Sequence, residues 1–305
     1  MIGFIQRWWQ FLKERFEPFS SSLIILAFFA ANAAMAWPLR AGAFLSPLRL
    51  SAGFVLVWCV FFHMRLFDEV KDYDFDREHN PSRPLARGLI SIMEFGQVTL
   101  SCVTLEIGIA MSLGWPVFSA YVLLLAFTLL MRMEFFISGW LRPKLEIYAI
   151  SHTFSASLSG MLIFSVVNGI EPVAAPTLLF YMALGNWFVF NVFEFGRKTF
   201  GPDEEKCRLD SYSFRLGPAG AVILLLLNLL AGYVLLLLAC QAKVGVLIPG
   251  LVYPTGTIIS PVVFSGLVYA TKPSLITARV YRGTVSFYLL AYHMAIAVGA
   301  YPYLH

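Results

Sequence analysis

Residues 65–91 read RLFDEVKDYDFDREHNPSRPLARGLIS and interrupt a long apolar run with a cluster of acidic side chains. Asp68, Asp72 and Asp76 recur every four residues, a spacing that rotates each side chain by only about 40° from the last one on a helix. The sequence therefore predicts one acidic stripe along a helix. Like charges aligned in this way repel one another unless a cation lies among them. The helix is expected to stop at Asn80-Pro81, because a residue before proline disfavours the helical conformation.

Composition indicates the class of protein to which this stripe belongs. Of the 305 residues, 59% are hydrophobic and only 13% are charged, whereas soluble domains carry about 25% charged residues. The sequence therefore predicts an all-α, polytopic membrane protein. The net charge of +4 does not indicate nucleic-acid binding, because Lys and Arg form no basic strip. The four cysteines, which include Cys207, form no CxxC pair, so neither a disulfide framework nor a zinc site is supported.

Apolar runs of a length that can cross a bilayer occur nine times. Residues 1–19 precede them as a basic, aromatic segment, which predicts an amphipathic helix at the membrane interface, and residues 20–305 form the transmembrane domain. Pro249, Pro254 and Pro261 predict that the eighth span is kinked or partly unwound. The expected spans are Ser22–Trp37, Leu48–Phe67, Ile92–Leu113, Val117–Met131, Leu145–Val167, Thr177–Phe193, Ala219–Ala239, Val244–Tyr269 and Thr284–Tyr301.

A second acidic region repeats the pattern of the first about 125 residues later. Residues 191–217 read NVFEFGRKTFGPDEEKCRLDSYSFRLG, where Asn191, Glu194 and Lys198 lie at i, i+3 and i+7 on one helix face. In both regions a helix end rich in carboxylates leads through a loop with Pro and Arg into a new span. The repeat predicts two four-helix halves, about 20–144 and 145–271, followed by a last helix at 284–301.

The distribution of charge predicts the orientation in the membrane. One side of a nine-span topology holds the N-terminus and both acidic regions, and it carries 19 of the 22 Lys and Arg residues. The other side carries Arg40, Arg49 and Lys243. By the positive-inside rule, the N-terminus and the acidic loops are cytoplasmic and the C-terminus is outside.

Carboxylates in a row, with basic residues around them, suit a diphosphate held through Mg²⁺. This ion usually takes one or two carboxylates together with phosphate oxygens and water. Arg and Lys neutralise the remaining phosphate charge, and polarising the diphosphate makes it a better leaving group. A hydrocarbon tail would lie among the helices and membrane lipids, where aromatic rings stabilise an allylic cation. The expected substrate is therefore a diphosphate that carries an allylic hydrocarbon chain.

The first acidic region resembles the first Asp-rich signature of the UbiA superfamily of intramembrane prenyltransferases. The matching residues are Asp68-x3-Asp72-x3-Asp76 followed by Asn80-Pro81-x-Arg83-Pro84-Leu85-x-x-Gly88. The resemblance implies nine helices and Mg²⁺-dependent transfer of an isoprenyl group from its diphosphate to an aromatic or other lipophilic acceptor. It also implies that Asp68, Asp72 and Asp76 bind the metal and the diphosphate, and that Arg132 is the basic residue expected at the end of the fourth span.

The second acidic region departs from the family pattern. Asn191 matches, Glu194 replaces the first key Asp, and Lys198 stands where the second is expected. A charged Lys cannot ligate Mg²⁺, so Lys198 would bind the diphosphate directly, or the acidic residues 203–205 would supply oxygens. The expected metal ligands are Asp68, Asp72, Asp76 and Glu194, and the expected substrate-binding residues are Arg83, Arg132, Lys144, Asn191 and Lys198.

Structural interpretations compete with these roles. Glu194 and Lys198 also fit an i, i+4 salt bridge at a helix end, and Arg132 also fits a topology-determining charge, as does Lys144. Glu106 lies within an apolar span, and the sequence shows no partner for it. We interpret it as a residue that makes hydrogen bonds between helices.

Two other functions compete with prenyl transfer. A terpene cyclase would use the same diphosphate, but a double bond of the chain itself would attack the cation. A non-catalytic lipid-binding or transport protein would account for the prolines of the eighth span and for the incomplete second acidic region.

Overall fold

The computed structural model describes residues 3–37, 46–205, 210–244 and 248–300, and within these ranges the chain is helical without strands. Arg40, Cys207, Tyr301 and the side chain of Lys243 lie outside what is described. The helices are α1 Phe4–Arg15, α2 Pro18–Ala36, α3 Pro47–Lys71, α4 Tyr73–His79, α5 Ile92–Ser112, α6 Trp115–Arg132, α7 Ser138–Leu141, α8 Leu145–Thr153, α9 Ser155–Asn168, α10 Thr177–Arg197, α11 Pro202–Glu205, α12 Tyr212–Val244, α13 Pro249–Thr271 and α14 Leu275–Ala300.

Nine helical segments in these ranges are long and apolar enough to cross a bilayer, and the fifth of them combines α8 and α9 as Leu145–Asn168. The predicted all-α, nine-span polytopic fold is thereby confirmed, in keeping with an integral membrane protein. The division of the chain into two related halves stays a prediction.

The nine spans form a closed ring. Each spanning helix packs against the next one along the chain, and α14 closes the ring by packing against α2. α2 also contacts α9 and α10, so contacts among these three helices fill part of the interior of the ring. Buried apolar side chains from all nine spans contribute to one core cluster. The ends of α3, α8 and α10 are thereby held at fixed positions relative to one another.

The last span begins earlier than its sequence predicts. α14 starts at Leu275 rather than at Thr284, so Arg279 and Arg282 belong to the helix and not to the preceding loop. The two arginines made this turn look too polar for a span. Arg282 is accommodated because it pairs with Glu204 at 2.8 Å.

The eighth span, α13, is one continuous helix that contains Pro254 and Pro261, so the predicted unwinding is wrong. Proline is tolerated in a spanning helix where Ser and Thr hydroxyls satisfy nearby backbone groups. The carbonyls that lose an N–H donor are those of Gly250 and Thr257, four residues before each proline. The nearby hydroxyls of Thr257 and Ser265 instead donate to the carbonyls of Pro254 and Pro261, at 2.8 and 2.7 Å. The described backbone instead breaks inside α12, at Gly217 with φ 71°.

α1 is tied to the ends of α3 and α5 by ion pairs. Arg15 Nε lies 2.6 Å from Glu69 Oε1, and Arg7 Nη2 lies 2.8 Å from Glu94 Oε2. Phe11 on the inner face is buried, while apolar side chains of the outer face, Phe4, Ile5 and Trp9, are exposed. The predicted amphipathic helix is present, and its position at the membrane interface stays a prediction.

Glu106 of α5 is paired with His63 of α3. The His63 Nδ1 lies 2.8 Å from both Glu106 carboxylate oxygens, and its Nε2 lies 3.1 Å from Thr128 Oγ1 on α6. Tyr121 of α6 also donates to Glu106, at 2.9 Å. His63 and Glu106 are fully buried. The expectation that Glu106 makes hydrogen bonds between helices is confirmed, and the network joins α3, α5 and α6.

We expect the substitution Glu106→Ala to destabilise the protein, because it leaves His63 Nδ1 and the Tyr121 hydroxyl buried without a partner. Breaking a buried pair in this way costs about 3–5 kcal/mol. Thermal unfolding in detergent micelles measures the loss. The double variant Glu106→Leu/His63→Leu should recover part of it, because Glu106 and His63 are removed together and only the Tyr121 hydroxyl stays unpaired. A double variant as unstable as the single one would contradict this account of the network.

Candidate functional site

The acidic stripe forms where α3 runs into the short helix α4. Asp68 lies in the last turn of α3, Asp72 is the residue between the two helices, and Asp76 lies in α4. The Asp72 N–H donates to the Asp68 carbonyl at 2.9 Å, and the Asp76 N–H donates to the Asp72 carbonyl at 2.8 Å. The helical repeat therefore continues through the junction.

The Asp76 carboxylate is paired with side chains of the segment that follows it. Arg83 Nη1 lies 2.6 and 2.5 Å from the two Asp76 oxygens, and Asn80 Nδ2 donates to Asp76 at 3.0 Å. Asp76 is buried by these contacts. The turn after the stripe is thus closed by its own acidic residue, and Arg83, which the sequence predicts as a substrate-binding residue, is engaged by Asp76 in this structure.

Lys71 is a residue of the site that the sequence analysis missed. Its Nζ lies 3.1 Å from Asp68 Oδ1 and donates to the Tyr148 hydroxyl of α8 at 2.6 Å. The Lys71 side chain is only 6% exposed. Its signal in the sequence is the spacing of three from Asp68, which places the two side chains on one helix face. Lys71 thereby neutralises Asp68 and connects α3 to α8.

Asp72 is half-buried and makes no ion pair with any residue in the described ranges. Burial raises the pKa of its carboxyl above the ordinary value, Lys71 opposes this rise, and the charges of Asp68 and Asp76 add to it. A cation placed beside Asp72 would favour its ionised form. Asp72 is therefore the acidic side chain of the stripe best suited to receive a further positive charge.

The end of α10 carries the second acidic region. Glu194 accepts a hydrogen bond from Arg197 Nε at 2.5 Å, and its other oxygen lies 3.3 Å from Lys198 Nζ. The salt bridge considered from the sequence is thus present. Asn191 is buried, and it donates to Asn228 Oδ1 of α12 at 3.1 Å. Asn191 therefore joins α10 to α12, and its role in binding substrate stays a prediction.

α8 lies between the two acidic regions. Its His152 ring stacks on Tyr148 with centroids 4.0 Å apart, and His152 Nδ1 donates to the Tyr148 carbonyl at 2.7 Å. Tyr148 of α8 accepts a hydrogen bond from Lys71 at the end of α3, and Thr153 of α8 donates to Asn191 of α10. The ends of α3, α8 and α10 therefore share one charged region.

Two further basic residues predicted to bind substrate are held by aromatic rings. The Arg132 guanidinium lies 5.2 Å from the centroid of the Phe67 ring, and Lys144 Nζ lies 3.3 Å from that of Trp140. Both are cation–π contacts, which leave hydrogen-bond donors available. The structure therefore places Arg132 next to the last turn of α3 and leaves the role of both residues a prediction.

A strained turn lies between α6 and α8. Glu134, Phe135 and Phe136 all have positive φ, from 49 to 59°, a conformation that costs free energy for residues other than glycine. Arg142 holds the turn by contacting Glu134 at 2.7 Å, and the Phe135 ring packs edge-on against His152 at 5.8 Å. No motif in the sequence predicts this turn. Its strained backbone lies beside the charged region.

Glu204 belongs to the acidic residues 203–205, which the sequence suggested as alternative oxygen ligands. In the structure it forms an ion pair instead. It pairs with Arg282 through both oxygens at 2.8 Å and accepts the Gly201 N–H at 3.0 Å. The hydrogen bond from Arg282 lowers the pKa of the Glu204 carboxyl below its ordinary value. Glu204 therefore fastens the connection between α10 and α12 to α14.

The donor set fits Mg²⁺ that is bound together with a phosphorylated ligand. Among the described residues, no group of three or more His, Cys, Asp or Glu side chains is placed to hold a metal ion. Asp68 and Asp72, one helical turn apart, supply the one or two carboxylates that Mg²⁺ usually takes from a protein. Asp68, Asp76 and Glu194 are each paired with a basic residue of the chain, but the Asp68 side chain is 45% exposed, whereas those of Asp76 and Glu194 are only 4% and 14% exposed. The four expected ligands are not gathered into one cluster, and their assignment stays a prediction.

Comparisons with protein-family models and with curated proteins find no significant match, whereas several solved structures match the fold. The apo structure of a UbiA homologue from Aeropyrum pernix K1 has a TM-score of 0.65 at 16% identity, over 93% of this chain and 98% of its own. A UbiA homologue from Archaeoglobus fulgidus bound to GPP and Mg²⁺ has a TM-score of 0.53 at 16% identity, over 94% and 99%. A digeranylgeranylglyceryl phosphate synthase has a TM-score of 0.55 at 16% identity, over 92% and 97%. The resemblance to the UbiA superfamily is thus confirmed for the fold.

We expect Arg83→Lys to loosen the turn after the acidic stripe, because a Lys cannot reproduce the contact of one guanidinium with both Asp76 oxygens. Amide hydrogen exchange in residues 80–89 should become about tenfold faster, which corresponds to the loss of one charge-assisted hydrogen bond. Arg77→Lys is the matched control, since Arg77 is exposed and lies over the Tyr73 ring. Equal exchange in both variants would show that Arg83 does not hold the turn.

Proposed function

We propose that this chain is a divergent member of the UbiA superfamily and an Mg²⁺-dependent intramembrane prenyltransferase. It would move an isoprenyl group from its diphosphate to a lipophilic acceptor. The observation that carries the proposal is the position of Asp68 and Asp72, at the end of α3 in a nine-helix ring. A UbiA homologue with the same fold has been solved with GPP and Mg²⁺ bound.

Each residue near the stripe has a role in this proposal. Mg²⁺, when bound, supplies charge stabilisation to the diphosphate leaving group, and Asp68 and Asp72 would hold it. Lys71 keeps Asp68 oriented through its contacts with Asp68 and Tyr148. At the end of α10, Arg197 and Lys198 would contact phosphate oxygens, with which Arg and Lys form charge-assisted hydrogen bonds, in place of or beside their present partner Glu194.

The orientation forms part of the same proposal. The acidic ends of α3 and α10 would face the cytoplasm together with α1, and the C-terminus would lie outside. An isoprenyl diphosphate could then enter with its charged head from the cytoplasm and with its chain among the helices and lipids. This arrangement excludes water from the reacting carbon.

The alternative functions differ in their support. The transporter interpretation loses one of its arguments, because α13 is continuous. A terpene cyclase would use the same acidic residues, and product analysis separates it from a transferase. Incubation of the purified protein with labelled farnesyl diphosphate and Mg²⁺, without an acceptor, should give no cyclic hydrocarbon. A cyclic hydrocarbon in that incubation would replace the transferase by the cyclase.

Asp72→Asn should weaken the Mg²⁺-dependent binding of geranyl diphosphate by about tenfold or more, because it removes a charged oxygen ligand from the metal. Calorimetry on protein in lipid nanodiscs, with and without Mg²⁺, measures the effect. Asp74→Asn is the matched control, because Asp74 lies in the same segment and is exposed. Unchanged Mg²⁺-dependent binding in Asp72→Asn would refute the metal assignment and with it the proposed function.

Lys198→Asp tests the cation at the second acidic region. If Lys198 contacts the diphosphate, the substitution should weaken geranyl diphosphate binding several-fold at low Mg²⁺ and less at saturating Mg²⁺, where the metal neutralises more of the phosphate charge. A Mg²⁺ titration identical to that of the unmodified protein would mean that Lys198 only pairs with Glu194.

A further inference from the structure

A groove of about 240 Å³ lies beside α9, between α6 and α10. Leu158 and Met161 of α9 line it, together with Leu123 of α6 and with Phe180 and Leu184 of α10. Both α6 and α10 pack against α9. Leu123 is 52% exposed and Phe180 is 43% exposed. The groove therefore opens on the outer surface of the ring, where the bilayer would lie.

α9 separates this groove from the interior of the ring. On its other faces α9 packs against α2 and α3. Of its 14 residues, all are buried except Leu158 and Asn168. An isoprenyl chain whose diphosphate is held at Asp68 would lie on the other side of α9. The groove is therefore distinct from the space that the proposed function assigns to the substrate.

The size and the lining of the groove indicate a hydrocarbon chain. A single turn of helix, about 10 Å wide and 5 Å long, already occupies roughly 400 Å³, so a helix of a partner protein is too large. A methylene group takes about as much space as a water molecule, about 30 Å³, so the groove holds a chain of roughly eight. The described residues that line it are apolar except for Ser157. The Ser157 hydroxyl already donates to the Ala183 carbonyl at 2.6 Å.

The depth of the groove matches an acyl chain in the leaflet opposite to the acidic stripe. Both α6 and α10 begin at the end of the ring away from the stripe. Their lining residues follow those starts by three to eight positions, which is about 5–12 Å along the helix axes. Half of the hydrocarbon core of a bilayer is about 15 Å deep. A chain that hangs from the interface of that leaflet therefore reaches the groove.

A polar amide lies on the same face of α9, nearer to that interface. Asn168 follows Ser157 by 11 residues and Met161 by seven, both close to whole numbers of helical turns. Both polar atoms of the Asn168 side chain are buried and have no hydrogen-bond partner among the described residues. The turn Pro172–Ala174 packs on α9 and α6 and lines the groove with its first two residues. An amide offers both donors and an acceptor, and leaving them unpaired costs free energy. A ligand of the groove is thus expected to carry polar groups where its chain begins.

We propose that the groove binds one acyl chain of a glycerolipid from the leaflet opposite to the acidic stripe. An ester carbonyl of the lipid accepts a hydrogen bond from Asn168 Nδ2, and a hydroxyl or ammonium group of its head donates to Asn168 Oδ1. The chain fills the seam between α6 and α10. No residue of the acidic regions contributes to this site, so it does not depend on the proposed function.

The first test compares two leucines in contact with lipid. The full chain in nanodiscs is irradiated with a phosphatidylethanolamine that carries a diazirine halfway along one acyl chain. Leu123 should be labelled at least about threefold more than Leu105 of α5, because a bound chain stays beside Leu123. Leu105 is the matched reference, since it is 51% exposed and lies at a similar distance from the same end of the ring. Equal labelling of the two leucines, measured by mass spectrometry of peptides, would overturn the site.

The second test fills the groove. Leu184→Trp should reduce the labelling of Leu123 to that of Leu105, because the indole occupies the space of the chain. Leu100→Trp on α5 is the control and should leave the labelling unchanged, since Leu100 is 69% exposed and away from the groove. Leu158→Trp fills the same groove from α9 and replaces Leu184→Trp if the latter lowers the Tm. Labelling of Leu123 that persists in a folded groove-filling variant would overturn the proposal.

The third test addresses Asn168. The diacyl probe should label Leu123 about threefold to tenfold more than the ether-linked counterpart, which lacks the ester carbonyl. Asn168→Leu should abolish this difference, whereas Gln97→Leu, the same change at an exposed amide on α5, should keep it. Equal labelling by the two probes in the unmodified protein would refute recognition of a glycerolipid ester.

A competition experiment distinguishes the lipid from an isoprenyl chain. Geranylgeranyl diphosphate with Mg²⁺ should leave the labelling of Leu123 unchanged, because α9 separates the groove from the acidic stripe. If the diphosphate displaces the probe from Leu123, the groove holds the isoprenyl chain and the lipid site is refuted.

Discussion

A bilayer offers no water to pair with polar groups, so each polar side chain inside this helix ring must find its partner in the protein. The structure satisfies this constraint with pairs that join neighbouring helices: His63 with Glu106, Asn32 with Asn186, and Asn191 with Asn228. These pairs fix the position of α3 against α5 and α6, and of α10 against α2 and α12. The pairing is incomplete among the described residues, since the buried hydroxyls of Tyr281, Tyr288 and Tyr292 and the Nε2 of His293 have no hydrogen-bond partner.

At the end of the ring that carries the acidic residues, the main requirement is neutralisation of charge rather than hydrogen-bond pairing. Carboxylates lined up on α3 and α4 repel one another, and the chain supplies cations for them from different elements. Lys71 comes from α3 itself, Arg83 comes from the turn after α4, and Arg15, which serves Glu69, comes from α1. The positions of these elements therefore follow from the charge of the stripe. Asp72 lies in the middle of this arrangement without an ion pair to a described residue.

The sequence predicted what depends on local pattern. Apolar runs gave the nine spans, and the proline after Asn80 gave the end of α4. The partners of buried residues were not predictable in this way, since His63 and Glu106 are 43 residues apart and meet only because α3 packs against α5. Lys71 was missed because its role depends on Tyr148 of α8, which no local pattern connects to it. The start of α14 was misjudged because Arg282 looks like a loop residue until Glu204 is seen beside it.

The internal ion pairs at the acidic stripe have a consequence for how the protein matures. A site whose carboxylates depended on a metal for neutrality would fold only as the metal arrived, as small metal-dependent domains do. Here Lys71 and Arg83 already neutralise Asp68 and Asp76. Insertion of the helices into the bilayer and the filling of the site are therefore separate events. The newly made chain can therefore reach its folded structure in a membrane before it binds metal or substrate.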